Sequence, residues 1–259
     1  MRSHSRLLAI FLSLAAISCS IKEDRTDCPC YLDISLLRQI GITAQEYKAW
    51  CSVWSEETLL YAGQMDWPYD STCTLESRVR PKGMVRVVVS SHGSVTARVG
   101  EQMPELYASC TEVDCTSETA SLILGGLDKR HCRLMLSLSE EAYRKRQGIS
   151  VTVEAPYCGV LLPSLRPASG GFSFTATFDE MGKAEIVIPP QAGPGLRIKT
   201  LLDGKTSSTL DLYALMKENL YNWENLNLSD FSCELSLNSL THAFEISDWN
   251  VIEIDEKTY

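Results

Sequence analysis

The chain has 259 residues, of which 44% are apolar and 22% are charged, and its formal net charge is −9. This length and apolar share can fill the core of one or two domains, and they exclude wholesale disorder. The 33 acidic residues outnumber the 24 basic ones, which argues against a protein that binds nucleic acid by neutralising phosphates. Ten cysteines are more than a cytosolic chain of this size usually carries, which raises the question of export.

The first 18 residues are typical of an export signal. Two arginines precede Leu7–Ile17, an almost unbroken apolar run that is shorter than the roughly 20 residues needed to span a bilayer. Ala16-Ile17-Ser18-Cys19 resembles a bacterial lipobox, in which the cysteine sulfur is acylated, for example with palmitate, and the preceding bond is cut. We therefore expect a lipoprotein signal peptide over residues 1–18 and lipidation of Cys19. An ordinary signal peptide, with Cys19 a bystander, is the alternative.

Residues 19–30 are predicted to form a polar tether. Acidic and basic side chains dominate from Lys22 to Asp27, and so charged a stretch cannot pack into a core. Lys22-Glu23-Asp24 is similar to a short signal that sends some lipoproteins to the outer face of the outer membrane. A plain soluble spacer is the alternative interpretation.

Past the tether the dominant hydrophobic period is two, which is typical of β-strands. The predicted strands cover residues 31–37, 50–54, 84–90, 149–154, 172–178, 184–188, 196–202, 231–237 and 243–254. Many short strands with few helices indicate an all-β chain built from antiparallel β-sandwiches.

Two short helices are predicted among the strands. One is capped by Thr209 or Asp211 and carries apolar residues at helical spacing up to Leu220. The other covers residues 139–146, opened by the possible capping box Ser137-Leu-Ser-Glu140.

The second of these helices is charged and weakly apolar, and it lies midway along the chain. We therefore predict a domain boundary there, with an N-terminal sandwich over residues 31–147 and a C-terminal sandwich over residues 148–259.

Both ends of the chain resemble one family. Cys19, the following Ile21-Lys22-Glu23-Asp24-Arg25 and then Asp27-Cys28-Pro29-Cys30-Tyr31-Leu32 are similar to the start of the lipid-anchored minor or anchor subunits of type V (fimbrillin-like, FimB-type) fimbriae. Leu220-Tyr221-Asn222-Trp223-Glu224-Asn225-Leu226 and Ile246-Ser247-Asp248-Trp249 are similar to the closing pattern of that family.

This resemblance implies two tandem transthyretin-like β-sandwich domains, a role in attaching fimbriae to the outer membrane, and no enzymatic activity. The implied partners are pilin subunits of the same fimbria, docked by strand complementation, and the membrane, reached through the N-terminal lipid. A sheet edge offers unpaired N–H and C=O groups to an added strand. The C-terminal strand, around residues 246–254, and the groove beside the first strand are the two candidate edges.

Enzyme chemistry is not predicted. Only His92, His131 and His242 remain after processing, and the sequence has no His-Glu-x-x-His, Gly-x-Ser-x-Gly or phosphate-loop motif. His131 precedes Cys132, but neighbours on a strand point to opposite faces, which disfavours a nucleophile pair. We expect no catalytic residues, no cofactor, no metal site and no small-molecule substrate.

Nine cysteines remain besides Cys19, so they cannot all pair within one chain. Cys28-Pro-Cys30 could be a fragment of a metal site, but zinc needs a second pair or suitably spaced histidines, and Cys110-x₄-Cys115 is a poor match. A local disulfide or free thiols are favoured.

A cluster of aromatic residues in the first half supports an alternative function. Trp50, Trp54, Tyr61, Trp67 and Tyr69 would suit stacking on sugar rings if they were exposed together, although sandwich cores use tryptophan just as readily. The alternative is a surface lipoprotein that binds glycan or another ligand through its sandwich loops.

Overall fold

The structure, a computed structural model, describes residues 28–36, 47–67, 73–79, 82–144, 148–238 and 243–252. The predicted signal peptide, Cys19 and the tether up to residue 27 lie outside these ranges. The elements within them are β1 (Cys30–Leu36), β2 (Tyr47–Ser55), β3 (Thr58–Trp67), β4 (Cys73–Val79), β5 (Met84–Ser90), β6 (Tyr107–Asp114), β7 (Thr119–Leu124), β8 (Asp128–Lys129), β9 (Cys132–Leu138), α1 (Glu140–Arg144), β10 (Ile149–Leu161), β11 (Arg166–Thr177), β12 (Lys183–Ile188), β13 (Arg197–Leu202), β14 (Lys205–Asp211), α2 (Leu212–Glu218), β15 (Asp230–Leu237) and β16 (Phe244–Ile252).

The strands form four sheets, and the predicted all-β sandwich architecture is confirmed. The first half contains the sheets β4-β1-β7 and β3-β2-β5-β6-β8, and the second half contains β12-β9-β15-β16 and β11-β10-β13-β14. Most neighbours are antiparallel, as predicted. Two pairs, β1 with β7 and β9 with β15, are parallel, so the two sheets that contain them are mixed.

The strand order of the first half recurs in the second. Advancing each strand number by eight converts β4-β1-β7 into β12-β9-β15 and β3-β2-β5-β6 into β11-β10-β13-β14. Each half then adds one strand at a different place. In the first half β8 lies beside β6, and in the second half β16 lies beside β15.

The strands up to β8 belong to the sheets of the first half, and those from β9 onward belong to the sheets of the second half. The change falls before residue 132, whereas the predicted boundary lies after residue 147. Leu134, Leu136 and Leu138 alternate along β9 and are buried in the core of the second half. The charged helix α1 follows β9 on the surface of that same half. Sheet pairing therefore favours a boundary near residue 130, and the division into two domains stays a prediction.

The described residues form two hydrophobic cores that meet at β5. Val87 belongs to the smaller core between the sheets of the first half, whereas Val88 belongs to the larger core of the second half. A strand covered on both faces reads as a continuous apolar run, which explains why Val85 and Val87–Val89 are all buried. Met103, Leu106 and Ala108 also reach from the first half into the larger core.

Backbone hydrogen bonds connect the halves beside this contact. The Val160 N–H donates to Val95 O at 3.0 Å, and the Ala97 N–H donates to Cys158 O at 2.7 Å. Gly159 lies between these bonds, and a Cβ atom there would come within 2.1 Å of Val95 O. Only glycine permits this approach of the two chain segments.

Side-chain caps begin both helices. Asp211, and not Thr209, caps α2, because its carboxylate accepts a hydrogen bond from the Ala214 N–H at 3.0 Å. Ser139 caps α1 by accepting from the Ala142 N–H, so the predicted capping role of Ser137 is wrong. Ser137 is a residue of β9. No helix in the described ranges is long and apolar enough to cross a membrane.

Candidate functional site

The predicted lipidation site, Cys19, lies outside the described residues, so its acylation stays a prediction. The described chain begins at Cys28, which is exposed, and it enters the fold at Cys30, which is fully buried. Cys30 is the first residue of β1. Any force transmitted through the predicted tether would therefore reach the folded part at the start of this strand.

The strand β7 forms an edge of the sheet that contains β1. The Tyr31 N–H donates to Glu118 O at 2.8 Å, and the parallel register pairs Tyr31 with Thr119. In a parallel ladder the hydrogen bonds of alternate residues point the same way, so the N–H groups of Thr119, Ser121 and Ile123 point away from β1. No strand in the described part of the chain pairs with this outer edge.

The side chains of β7 reflect its edge position. Ala120 and Leu122 face the smaller core but are only half-buried, and Ile123 on the opposite face is 68% exposed. Sequence reasoning missed this strand, although the alternation of Ala120, Leu122 and Leu124 was a signal for it.

The corresponding strand of the second half, β15, is covered on both edges. It lies between β9 and β16, and its inward residues Phe231, Cys233 and Leu235 are buried. On β16, Phe244 is buried and Ile246 packs against the same core. The strand β16 thus fills, beside β15, a position that no described strand fills beside β7.

The outer edge of β16 is less available than that of β7. The Asp248 carboxylate accepts a hydrogen bond from the Trp249 N–H at 2.8 Å, which occupies a donor that an added strand would need. Trp249 itself is 43% exposed. Charged side chains on an edge also discourage strand addition. The other edge expected from the sequence, the groove beside the first strand, is occupied, because β1 lies between β4 and β7. That prediction is wrong, and the edge of this sheet without a paired strand in the described chain is the outer edge of β7.

The predicted aromatic cluster is not brought together on one surface within the described ranges. Trp50 is 40% exposed, and Trp54 is half-buried against the larger core. Tyr61 instead packs against the smaller core, with its hydroxyl over Gly63. The side chain of Trp67 and all of Tyr69 lie outside the described part.

A cleft of about 600 Å³ lies in the second half, where sequence reasoning did not place a site. Arg166 at the start of β11, Gln191 in the loop after β12, Lys217 on α2 and Trp223 in the loop after α2 all line it. The cleft was missed because its lining residues come from loops, a strand and a helix that lie far apart in sequence. Its one signal was the motif around Trp223, which the family resemblance accounted for differently.

The cleft combines positive charge with unsatisfied polar groups. Arg166 and Lys217 are exposed and have no ion-pair partner among the described residues. Beneath the surface, Gln191 Oε1 and Trp223 Nε1 are buried without a hydrogen-bond partner in the described chain. The rings of Tyr221 and Trp223 lie 4.7 Å apart, centroid to centroid. Such a surface suits a polar ligand with a flat face and a negative charge.

His131 and Cys132 do not form a nucleophile pair. His131 Nδ1 lies 3.1 Å from Leu106 O, and the Cys132 thiol is fully buried. Burial lowers the pKa of His131 to about 4 and raises the pKa of Cys132 to about 12. Both groups are therefore neutral at pH 7, and the thiol is unreactive.

Cys28 and Cys30 are not joined by the further ligands that a metal site would need. The described residues contain no group of three or more His, Cys, Asp or Glu side chains that could hold a metal ion. Among the described cysteines, Cys28 is exposed and two are half-buried, Cys110 and Cys158. The others are buried, namely Cys30, Cys51, Cys115, Cys132 and Cys233.

Comparison with known proteins identifies the fold. No family model matches the sequence, and no curated protein matches it. Among solved structures, the fimbrial anchor protein Mfa2 from Porphyromonas gingivalis matches with a TM-score of 0.58 and 9% identity, over 86% of this chain and 97% of that one. A proposed polysaccharide-binding protein of Bacteroides thetaiotaomicron also has a TM-score of 0.58, with 12% identity over 89% of this chain and all of the other.

A third structure, a proposed adhesin of Bacteroides ovatus, has a TM-score of 0.55 and 14% identity. The match covers 90% of this chain and 98% of the adhesin. At these identities the similarity shows a shared fold. The fold of this chain is that of a fimbrial anchor protein and of a proposed adhesin, as the resemblance of its termini implied.

Proposed function

We propose that the chain is a non-enzymatic, lipid-anchored subunit that attaches fimbriae to the outer membrane and accepts a strand from a pilin subunit at the outer edge of β7. The observation that carries this proposal is a contrast between two strands. The outer edge of β7 pairs with no strand in the described part of the chain, whereas the equivalent edge of β15 is covered by β16. The fold shared with a fimbrial anchor protein supports the same role.

The chemistry of the edge suits strand addition. Three N–H groups of β7 point outward, and Leu122 is half-buried where a further strand could cover it. In the second half, Phe244 and Ile246 of β16 provide such a cover over Leu235 and Leu237. A pilin strand with alternating apolar residues would provide it in the first half.

Docking at β7 can be tested with two substitutions at one position. Ser121→Pro removes an outward N–H and spares the bonds to β1, whereas Ser121→Ala keeps every backbone donor. In the native cell, tagged Ser121→Pro protein should remain in the membrane fraction but lose copurified pilin, and Ser121→Ala should retain it. Normal pilin copurification with Ser121→Pro would reject β7 as the docking edge.

Anchoring can be tested independently of docking. We expect the mature protein to begin at an acylated Cys19, as mass spectrometry of its N-terminal peptide would show. Cys19→Ala should release the protein from membranes, whereas the matched variant Cys28→Ala should stay bound. A mature N-terminus downstream of Cys19, without acyl groups, would contradict lipid anchoring.

A second candidate function is the binding of an acidic glycan in the cleft. Arg166 and Lys217, which have no ion-pair partner among the described residues, could contact a sugar carboxylate, and Trp223 could stack on a ring face. Gln191 Oε1 and Trp223 Nε1 each carry the cost of an unsatisfied buried group, about 1–3 kcal/mol, which a ligand that reached them would relieve. One protein of the same fold is a proposed polysaccharide-binding protein.

Calorimetry would separate this candidate from the fimbrial one. A disaccharide containing a uronic acid should bind, and its neutral counterpart should bind at least tenfold more weakly. The double variant Arg166→Gln, Lys217→Gln should lose the preference, whereas Lys205→Gln, an exposed lysine in β14 that does not line the cleft, should keep it. Equal binding of both sugars, or of neither, would reject an acidic-glycan site.

A further inference from the structure

A buried ion pair joins the two halves of the chain. Lys129 ends β8, the last strand of the first half, and only 4% of it is exposed. Its Nζ donates a hydrogen bond to Oδ1 of Asp230, the first residue of β15 in the second half. Lysine is almost never fully buried without a partner, because removing a charge from water is costly. The pair therefore fixes Lys129 and Asp230 relative to each other.

The backbone on both sides of the ion pair is held as well. The Lys129 N–H donates to Asn227 Oδ1 at 2.8 Å, and the Leu228 N–H donates to Lys129 O at 3.0 Å. The same Asp230 oxygen accepts a second hydrogen bond, from the Arg133 N–H of β9 at 2.8 Å. The strands β8, β9 and β15 thus meet at one carboxylate.

The residues bonded to β8 belong to a wall of the cleft. Residues 219–229, the cleft loop, connect α2 to β15, and seven of them line the cleft. Within the second half the loop is closed on itself, because the hydroxyl of the buried Tyr221 donates to Ser229 O at 2.5 Å. Near β15 the loop is bonded to the first half, through Asn227 and Leu228. The position of the loop therefore depends on both halves.

We propose that Lys129 and Asp230 form a lock between the two halves that positions the cleft loop, so that the first half of the chain completes the cleft. Lys129 is not among the residues that line the cleft, and it acts as a positioning residue through its bonds to Asn227 and Leu228. Any arrangement of the halves that parts Lys129 from Asp230 leaves two buried charges without partners, which disfavours it. The effect on glycan binding rests on the second candidate function, whereas the lock itself does not.

Hydrogen exchange of the full chain, followed by mass spectrometry, tests the lock without any ligand. Lys129→Met keeps an unbranched side chain but leaves the Asp230 carboxylate without its cation. We expect the amides of the cleft loop to exchange at least about tenfold faster, while those of β10 and β11 keep their rates. The matched control is Lys199→Met, which breaks a partly exposed ion pair, between Lys199 Nζ and Glu154 Oε1, 2.6 Å apart. It should change exchange in the cleft loop by less than about twofold.

A double variant separates charge pairing from general loss of stability. Lys129→Met combined with Asp230→Asn removes both charges and keeps an oxygen that accepts from the Arg133 N–H. Its cleft loop should exchange more slowly than that of Lys129→Met alone and faster than that of wild type. If Lys129→Met does not fold, a folded double variant with a faster-exchanging loop supports the lock. Unchanged loop exchange in the variants, or equal acceleration in every strand of the second half, would overturn the proposal.

Calorimetry with the uronic acid disaccharide tests the consequence for the cleft. Lys129→Met should bind the disaccharide several-fold more weakly than wild type does, and the double variant should recover part of this loss. Unchanged affinity in a variant whose cleft loop exchanges faster would reject the positioning role. If wild type binds no acidic disaccharide, the second candidate function fails, and the exchange rates still decide whether the lock exists.

Discussion

In the first half of the chain β1 lies between β4 and β7, and in the second half β9 lies between β12 and β15. The two three-strand arrangements differ at one outer edge. The second half continues with β16, which covers the outer edge of β15, whereas β7 has no such neighbour among the described strands. Phe231 and Leu235 of β15 are consequently buried, while Leu122 of β7 is only half-buried.

This contrast shows that one strand order can produce a closed unit or an open one. Closure depends on a single further strand, which adds hydrogen bonds along its length and apolar cover over the core behind it. An open unit of this kind remains stable if its core is supported elsewhere. Here the support comes from β5, where Val88 joins the core of the second half.

The largest expected effect tests whether that support couples the halves. Phe231→Ala in the larger core should lower the free energy of unfolding by about 3–5 kcal/mol, and Leu32→Ala in the smaller core by about 2–5 kcal/mol. Because the cores meet at β5, each variant should still unfold in one transition. Urea unfolding followed by tryptophan fluorescence and circular dichroism measures this. Two separate transitions would show that the halves are independent.

A second prediction concerns pH and the junction between the halves. His131 is fully buried, and its folded pKa of about 4 lies below the usual value of 6.5 because burial disfavours the charged ring. Lys129 lowers the pKa further, while the bond to Leu106 O and the charges of Glu105 and Asp230 raise it. The unfolded chain therefore binds more protons between these pH values, and stability falls as the pH drops from about 6.5 to 4.

The expected loss from His131 is roughly 3 kcal/mol by pH 4. His131→Asn cannot titrate and keeps an N–H donor, so its stability should depend less on pH over this range. The control is His92→Asn in the first half, where the histidine is exposed and its pKa is lowered only by partial burial. Acid unfolding curves of the three proteins make the comparison. Equal acid sensitivity of wild type and His131→Asn would contradict the prediction.

Two serines compare the strand edges themselves. Ser232 of β15 pairs with Asn250 of β16, and the parallel ladder with β9 leaves its N–H facing β16. Ser232→Pro should therefore cost about 1–3 kcal/mol, because a hydrogen bond between strands is lost. Ser121→Pro on the open edge of β7 should cost less than about 1 kcal/mol. Thermal unfolding measures both, and equal losses would mean that the edge of β7 is not open.

The sequence predicted the strands that have strong alternation or a continuous apolar run. The alternation in residues 231–237 and the valine run in β5 were sufficient for this. Periodicity does not report which strands are neighbours, so the parallel pairs β1–β7 and β9–β15 were not predicted. For the same reason β9 was not assigned to the second half.

The functional features could likewise be predicted where they are local in sequence and not where they join distant residues. Asp211 could be proposed as a helix cap because a cap acts on the N–H group three residues later. The cleft around Gln191 depends on residues brought together from distant parts of the chain. Composition and spacing carry no information about such contacts, and they were found only in the folded structure.

The smallest expected effect concerns helix α2, which has no equivalent in the first half among the described residues. The helix α2 lies between β14 and β15, whereas only residues 115–118 connect β6 to β7. Asp211→Ala removes the cap of α2 and should lower the free energy of unfolding by about 1 kcal/mol. Thr209→Ala, which changes an exposed residue of β14, should cost less than about 0.5 kcal/mol.

The same pair of variants separates the two candidate functions. Tyr213 and Lys217 line the cleft from α2, so loosening the first turn with Asp211→Ala should weaken the binding of an acidic disaccharide several-fold. The outer edge of β7 belongs to the other half, and pilin copurification should therefore be unchanged. Calorimetry and copurification of the Asp211→Ala protein, with Thr209→Ala as the control, measure the two effects. A parallel loss of both would mean that the cleft and the docking edge are coupled through the larger core.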